Sequence, residues 1–314
     1  MPFHYILNQM NPNFGPIITA MVTPFKESNK HEIDYPAVSR LVEHLVKNGS
    51  DSIIIAGTTG ESPTITHDEE IELLKHVQAD IKKLGSKTKI IFGAGSNSTQ
   101  TSIKKSQAAE KLGADGLLIV TPYYNKPNQK GLREHYSLIA QATSLPIILY
   151  NVPSRTNIAL TAETILDLVE SYPNICSLKE ASANLDIITR LRLKLSPEKF
   201  SIYCGDDSLT LPMLAVGADG VISVASHLVG NEMQAMVKAF KAGNHAKALE
   251  IHQQIFPLFD NLFIEPNPTC IKEALGIMKI CSPVLREPLV PLSDEQRVNL
   301  KKIINSTIDC SSLV

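Results

Sequence analysis

The sequence predicts an α/β fold, a (β/α)8 or TIM barrel with a C-terminal helical subdomain. Eight short, β-branched apolar runs alternate with helix-like segments up to Val224, and eight parallel strands is the number that closes such a barrel. Two near-copies of one turn, Leu112–Gly116 and Val216–Gly220, indicate a repeated connection from a helix end into the next strand. After Val224 no further strand pattern occurs, so the rest of the chain is predicted to be helical.

The eight runs are the predicted strands, and their alternation with helices implies parallel βαβ units. They are Ile17–Val22, Ser52–Ala56, Lys89–Phe92, Gly116–Val120, Pro146–Tyr150, Ile175–Lys179, Ser201–Cys204 and Gly220–Val224.

Helix starts are marked by two capping boxes, in which a Ser or Thr side chain and a Glu or Gln three residues later satisfy each other's backbone amides. One is Thr66–Glu69 and the other is Ser293–Gln296. Helices are predicted from about Asn231 to Asn305, with an interruption at the proline-rich segment Glu265–Pro268. The predicted organisation is an N-terminal extension (1–13), a catalytic barrel (14–229) and a C-terminal helical subdomain (230–314).

The bulk composition excludes several classes of function. A net charge of −2 gives no electrostatic reason to bind nucleic acid or an anionic membrane. No segment approaches the roughly 20 continuous apolar residues that cross a bilayer, and the first 13 residues lack the pattern of a secretion signal. The five cysteines are odd in number and form no C-x-x-C pair, which favours a reducing, cytoplasmic location and disfavours zinc.

Polar residues gather where the predicted strands end, which in a parallel barrel is the face that carries the chemistry. The segments that follow strands 2, 4, 5, 6, 7 and 8 are Gly57–Ser62, Thr121–Asn125, Tyr150–Thr156, Lys179–Glu180, Gly205–Asp207 and Ile222–Ser223.

Lys179 is the most informative of these residues, because a lysine at the end of a buried strand is costly. Desolvation disfavours its ammonium form, and a neutral amine is a nucleophile toward carbonyl carbons. The alternative is that the side chain reaches solvent or pairs with an acid. Glu180 follows in sequence, but on a strand it is expected to point to the opposite side.

Four other mouth residues fit chemistry at a carbonyl acid. The glycines around Thr58 and Thr59 allow close approach of a ligand, and amides with hydroxyls suit a carboxylate. Tyr150 is a candidate proton relay, and the planar fork of Arg155 matches a carboxylate. Taken singly, each could instead be a plain turn, a packed tyrosine or a surface arginine.

Two further segments are weaker candidates. Gly93–Ser98 lacks the third glycine of the dinucleotide-binding fingerprint, and the acids of His67–Glu70 are explained by the capping box rather than by a metal. We therefore expect neither a cofactor nor a metal ion. His227 is expected to be structural or at the surface.

The loops together resemble the dihydrodipicolinate synthase family, from about Gly15 to the C-terminus. The segments that carry the resemblance are Gly57–Glu61, Tyr123–Pro127, Tyr150–Thr156, Lys179–Ala181, Gly205–Asp207, Gly220–Val224 and Phe263–Pro268. The wider superfamily of pyruvate-dependent lyases shares the G-x-T-G-E loop and the lysine. The double threonine and the Tyr-Asn-Val-Pro-x-Arg-Thr loop are more specific to this family.

The resemblance implies a Schiff-base reaction between pyruvate and L-aspartate 4-semialdehyde, in the diaminopimelate route to lysine. Lys179 would form the imine with pyruvate, and Thr58, Tyr150 and Tyr124 would relay protons, with Tyr124 coming from a neighbouring subunit. Thr59 would hold the pyruvate carboxylate.

The same resemblance assigns the remaining substrate contacts and an assembly. Arg155 would hold the carboxylate of the semialdehyde, and the main-chain carbonyls of Gly205 and Ile222 would line the pocket. No cofactor or metal would be needed. The expected assembly is a homotetramer built as a dimer of dimers.

Some family members are inhibited by L-lysine at a dimer interface. The positions that match that pocket are Ser62, Pro63, His67, Glu70, Asn97, Thr101 and Tyr123. This chain departs from the inhibited pattern at Glu70 and at Thr101, although Glu70 could still meet a lysine ammonium.

Alternatives remain at the level of sequence. Another pyruvate-dependent aldolase, such as N-acetylneuraminate lyase or a keto-deoxy-sugar-acid aldolase, shares the lysine, but Arg155 and the pair Thr58–Thr59 argue against it. A non-catalytic ligand-binding barrel and a nucleotide-dependent oxidoreductase are the alternatives from other classes.

Overall fold

Eight parallel strands form a closed barrel, as predicted. The computed structural model describes residues 12–308. Each strand pairs with its neighbours in chain order, and β1 closes the barrel against β8 with Ile18 opposite Ile222. The strands are β1 (Ile17–Ala20), β2 (Ser52–Ile55), β3 (Lys89–Gly93), β4 (Gly116–Val120), β5 (Ile147–Asn151), β6 (Ile175–Glu180), β7 (Ser201–Cys204) and β8 (Gly220–Ser223).

All eight predicted strands are present, and their ends lie within two residues of the predicted ends. β1 ends at Ala20 and not at Val22, because its register with β2 stops at the pair Ala20 and Ile54. β6 continues one residue beyond Lys179 to Glu180, which still pairs with Asn151 of β5.

Helices cover the outside of the barrel and form the C-terminal subdomain. They are α1 (Tyr35–Lys47), α2 (His67–Lys83), α3 (Thr99–Lys111), α4 (Gln129–Gln141), α5 (Pro153–Thr156), α6 (Ala162–Ser171), α7 (Leu185–Arg192), α8 (Thr210–Ala215), α9 (Ser226–Lys241), α10 (His245–Asn261), α11 (Thr269–Ile277) and α12 (Asp294–Thr307). Both predicted capping boxes are formed, at the start of α2 and of α12. The two repeated turns place Gly113 and Gly217 at φ of +79° and +108°, a region open to glycine.

The apolar core has two layers, as the alternation of side chains along a strand requires. An inner cluster fills the barrel and contains Ile18, Ile54, Ile148 and Ile222. A larger outer cluster packs the other strand faces against the helices. The inner layer therefore fills the barrel below the ends of the strands.

The C-terminal subdomain consists of α9 to α12, and the break at Glu265–Pro268 separates α10 from α11 as predicted. Its first helix begins at Ser226, earlier than the predicted start near Asn231. Local hydrogen bonds, such as the one from Leu228 N to Ala225 O (2.8 Å), form this early turn. Its sequence has no helical periodicity, so the prediction placed the helix start too late. Val229 has non-helical angles (φ −126°, ψ 37°), so the helix kinks beside the predicted boundary at 229/230.

The cysteines of the described part of the chain, Cys176, Cys204, Cys270 and Cys281, are buried free thiols. Cys310 and most of the N-terminal extension lie outside the described residues. Among residues 12–308, no helix combines the length and the apolar character that crossing a membrane requires.

Candidate active site

A cavity of about 190 Å³ opens at the C-terminal ends of the strands and brings most of the predicted site residues together. Its walls include Thr58, Thr59, Tyr150, Arg155, Lys179 and Gly205. These residues come from β5, from β6 and from the loops after β2, β5 and β7, as a parallel barrel predicts.

Lys179 lies in the cavity wall between two tyrosines of neighbouring strands, since its register partners are Tyr150 on β5 and Tyr203 on β7. The residue is only 7% exposed, and its Nζ lies 4.4 Å from the centre of the Tyr150 ring. No carboxylate within residues 12–308 forms an ion pair with this ammonium group. The lysine thus faces the cavity rather than a structural partner.

Gly205 provides the room that Lys179 occupies. A Cβ atom at this position would lie 3.1 Å from Cε of Lys179 and 2.7 Å from Cβ of Ala181. Any other residue would therefore force a shift at Ala181 and press against the lysine side chain. This gives the glycine after β7 a steric role beside the carbonyl contact that the sequence predicts for it.

Glu180 points away from Lys179, as its position on the strand predicts. Its carboxylate accepts hydrogen bonds from Nδ2 of Asn151 (2.8 Å) and from the amide of Ser182 (2.7 Å). Burial raises the pKa of this carboxyl group, and the hydrogen bonds only partly offset that effect. Glu180 therefore ties β5 to the loop after β6 and leaves the lysine unpaired.

The loop after β2 is a tight turn that presents Thr58 and Thr59. The amide of Gly60 bonds to the carbonyl of Gly57 (3.1 Å), and the amide of Glu61 bonds to the carbonyl of Thr58 (3.0 Å). The hydroxyl of Thr59 accepts a hydrogen bond from Asn267 (2.9 Å). The side chains of Thr58 and Tyr150 both line the cavity, but no hydrogen bond joins them in the described structure.

Arg155 stands in α5, the short helix that begins at Pro153. The amides of Arg155 and Thr156 both bond to the carbonyl of Val152, and the hydroxyl of Thr156 bonds to that of Thr121 on the neighbouring loop (3.1 Å). The arginine side chain is exposed at the cavity rim, and its guanidinium pairs with no acid of residues 12–308. It is therefore free to receive a carboxylate.

Tyr124 does not line this chain's own cavity. The residue is 90% exposed and adopts a positive φ of 70°, which is unusual for a large side chain. Tyr123 beside it is 40% exposed. The loop after β4 thus directs both aromatic side chains outward.

For Ile222, the contact predicted through its main-chain carbonyl stays a prediction. Its side chain is 1% exposed and belongs to the inner core cluster, and on this side of the barrel Val224 lines the cavity. The structure also places Asn267, Phe263 and Asp207 in the cavity wall, residues of segments that the sequence analysis named without giving these three a role in the site. The sequence marks Asn267 as part of a helix break and of a segment that carries the family resemblance, but nothing local indicates that this break crosses the barrel mouth.

Asp207 anchors the loop after β8 to the loop after β7. Its Oδ2 accepts hydrogen bonds from the amides of Val224 (3.1 Å) and Ala225 (2.8 Å). Complete burial raises the pKa of this carboxyl group. The acid therefore serves the shape of the cavity wall.

The residues predicted for a lysine pocket lie outside the mouth, around the starts of α2 and α3. Glu70 is buried, and its carboxylate contacts Nζ of Lys105 (2.6 Å) and Nδ1 of His67 (3.7 Å). Ser62 opens a short 3-10 turn, and the carbonyl of Asn97 accepts a hydrogen bond from Asn125 (2.8 Å). The ammonium group of Lys105 therefore already contacts the carboxylate of Glu70.

Comparison with known proteins identifies the family. The sequence profile of the dihydrodipicolinate synthetase family matches residues 13–307. The chain belongs to this family. A 4-hydroxy-tetrahydrodipicolinate synthase of Cyanothece sp. is 50% identical over 295 residues, which cover 94% of this chain and 98% of the relative. Synthase 1 of Halalkalibacterium halodurans is 49% identical over 293 residues, or 93% and 97% of the two chains.

A solved structure of a dihydrodipicolinate synthase gives the same result in three dimensions. The enzyme of Cyanidioschyzon merolae, crystallised with lysine bound, superposes with a TM-score of 0.90 at 46% identity, over 96% of this chain and 99% of that one. Both the fold and the residues of the mouth therefore agree with membership of the dihydrodipicolinate synthase family.

Proposed function

We propose that the chain is a 4-hydroxy-tetrahydrodipicolinate synthase, which condenses pyruvate with L-aspartate 4-semialdehyde through an imine on Lys179. The observation that carries the proposal is the buried Lys179, which opens onto a cavity with no acid paired to it in residues 12–308. The Thr58–Thr59 loop and Arg155, to which we assign the two substrate carboxylates, line the same cavity.

The first half of the reaction takes place at Lys179. Its neutral amine attacks the keto carbon of pyruvate, and the carbinolamine loses water to give the imine. Loss of a methyl proton then gives the enamine. Thr59 holds the pyruvate carboxylate through its amide and hydroxyl, and Asn267 fixes that hydroxyl by donating to it.

The second half joins the two substrates. The enamine carbon attacks the aldehyde carbon of the semialdehyde, whose carboxylate lies on the guanidinium of Arg155. The amino group of the second substrate then attacks the imine carbon. This step closes the ring and releases the amine of Lys179.

Proton transfers are assigned to Thr58, Tyr150 and Tyr124 of the partner subunit. The exposure and the positive φ of Tyr124 support this assignment, because a side chain held outward can enter the mouth of a second copy. A homotetramer made of two such dimers is the assembly that we propose. A reducing cytoplasmic location is consistent with the buried free thiols.

Reduction with borohydride in the presence of pyruvate tests the mechanism. We expect a stable adduct on the peptide that contains Lys179, and none without pyruvate or in the Lys179→Arg variant. Turnover with pyruvate and semialdehyde, compared with N-acetylneuraminate, tests the substrate. An unlabelled Lys179 would reject the imine, and turnover of the sugar acid alone would reject the assigned substrates.

Feedback inhibition by L-lysine is a further proposal, with Ser62, His67, Glu70, Asn97 and Tyr123 as the contact residues. Because Lys105 already contacts Glu70, we expect inhibition to be weak. Replacement of Lys105 by Met would free the carboxylate, and a lower inhibitory concentration of L-lysine would support the role of Glu70. An unchanged value would exclude Glu70 from the site.

A further inference from the structure

A buried group of charges links the C-terminal subdomain to the loop that carries the two threonines. Oε1 of Glu61 contacts Nζ of Lys272 on α11 at 2.6 Å, and Oε2 accepts the amide of Arg286 at 3.0 Å. The side chains of Lys272 and Glu61 are 0% and 1% exposed. We call Glu61, Lys272 and Arg286 the clamp.

Glu61 belongs to the same tight turn as the threonines. Its amide bonds to the carbonyl of Thr58 (3.0 Å), so the clamp connects to the mouth through one residue. Its backbone adopts a left-handed conformation (φ 57°, ψ 37°), which is unfavourable for a residue with a Cβ atom. The surroundings of Glu61 must therefore hold the turn in this shape.

Lys272 and Arg286, the two cations of the clamp, each make several further contacts. Nζ of Lys272 also donates to the carbonyl of Val284 (2.7 Å) and lies 4.0 Å from the centre of the Phe25 ring, which Arg286 approaches at 4.2 Å. The guanidinium of Arg286 contacts both carboxylate oxygens of Glu69 (2.6 and 2.9 Å). Its other bonds go to the carbonyls of Lys30, His31 and Thr64.

Burying these charges is a poor way to gain stability alone, because a well-packed apolar group of the same volume would serve as well or better. An ion pair with short, directed hydrogen bonds instead fixes the position of the groups that it joins. The same subdomain makes a second contact with this turn, because Asn267 donates a hydrogen bond to the hydroxyl of Thr59. Both contacts converge on the side of the mouth that receives a carboxylate.

We propose that Lys272 and Arg286 are positioning residues for the condensation. They hold Glu61, and through it they set the amide and hydroxyl of Thr59 and the hydroxyl of Thr58 against pyruvate. The C-terminal subdomain thereby takes part in the reaction without contacting substrate through the clamp. This inference rests on the proposed function, which assigns pyruvate to this loop.

The experiment compares Glu61→Gln, Lys272→Met and the double variant Glu61→Gln/Lys272→Met. The double variant leaves no unpaired buried charge, so it is expected to regain much of the stability that Lys272→Met loses. Arg192→Met is the matched control, because Arg192 pairs with Asp219 in a partly buried bridge at the opposite end of the barrel. Measurements are the melting temperature, KM for pyruvate, kcat, and the rate at which borohydride traps pyruvate on Lys179.

We expect all three clamp variants to raise KM for pyruvate and to slow trapping by about tenfold to a hundredfold, since a displacement near 1 Å costs that much. The double variant stays impaired in trapping although its melting temperature recovers. Arg192→Met lowers the melting temperature and leaves both kinetic values within about threefold of wild type.

Kinetic values that recover together with stability in the double variant would overturn the inference, since they would show a purely structural role. Wild-type trapping in Glu61→Gln would overturn it as well. Failure of the wild-type protein to trap pyruvate is a different result and would reject the proposed function itself.

Discussion

The end of β6 and the middle of α11 each bury a lysine, and the surroundings of the two are opposite. Lys179 lies beside the Tyr150 ring (4.4 Å), with a cavity in front and no carboxylate of residues 12–308 paired to it. Lys272 lies beside the Phe25 ring (4.0 Å) but contacts Glu61 and the carbonyl of Val284. Burial lowers the pKa of Lys272, and Glu61 opposes that shift.

The two lysines show two different roles that a buried polar group can have. A group with all its hydrogen bonds satisfied defines a position, and a group left open toward a cavity is available for substrate. Arg155 belongs with Lys179 in the open class. His227, beneath the mouth, belongs with Lys272, because both of its ring nitrogens are bonded.

The largest effect is expected for Lys179→Met. Activity should fall by at least about a thousandfold, since Lys179 is the only lysine in the cavity wall among residues 12–308, while stability should hold or rise because no partner loses a bond. Steady-state assays and urea unfolding measure both. Lys194→Met, at an exposed position, serves as the control. Substantial residual turnover would place Lys179 outside the chemistry.

Lys272→Met should mainly lower stability, whereas Lys179→Met mainly lowers activity. It leaves the Glu61 carboxylate buried without its cation, which costs about 3–5 kcal/mol. Urea unfolding measures this loss, and the exposed pair of Lys47 with Glu43 offers a control whose removal should change stability little. If both lysine variants lost the same stability, the distinction between open and satisfied lysines would fail.

Arg155→Ala should raise KM for the semialdehyde by about tenfold to a hundredfold, the range expected for a hydrogen bond to a charged group. Trapping of pyruvate on Lys179 should change by less than about threefold, since the first substrate does not need this guanidinium. KM for the semialdehyde and the rate of pyruvate trapping are therefore measured on the same variant. Equal losses would mean that Arg155 supports the whole site rather than the second substrate.

His227 gives the smallest effect, a dependence of stability on pH. Its Nδ1 donates to the carbonyl of Val224 (2.8 Å) and its Nε2 accepts the amide of Val22 (3.2 Å), so only the neutral ring fits. Burial lowers the pKa of His227 to about 4 from 6.5. The unfolded chain therefore binds more protons in this window, and the contribution is complete above pH 6.5 and is lost as pH falls toward 4.

The expected slope from this residue is up to about 1.4 kcal/mol for each pH unit. Urea unfolding of His227→Gln between pH 7 and 4, set against the exposed His245→Gln, measures it. The His227 variant should show a flatter dependence than wild type. A slope equal to that of wild type would show that His227 does not contribute.

Much of the fold could be read from local pattern. The eight apolar runs and the two capping boxes are consequences of short-range rules, and all of them are formed. Local pattern failed at Ser226, where a helix starts through turn hydrogen bonds without periodicity. Strand alternation also does not say how far below the mouth a side chain lies, and that of Ile222 belongs to the inner core cluster.

The sequence by itself determined the barrel, the family, and the side on which Lys179, Arg155 and the threonine loop must meet, because parallel strands bring their carboxyl ends to one face. Only the tertiary structure decided what surrounds those groups. Asn267, Lys272 and Arg286 are more than 200 residues from the threonine loop, and Lys272 and Arg286 reach Glu61 through long-range packing. A contact between distant segments depends on how the whole chain packs, so no local pattern encodes it.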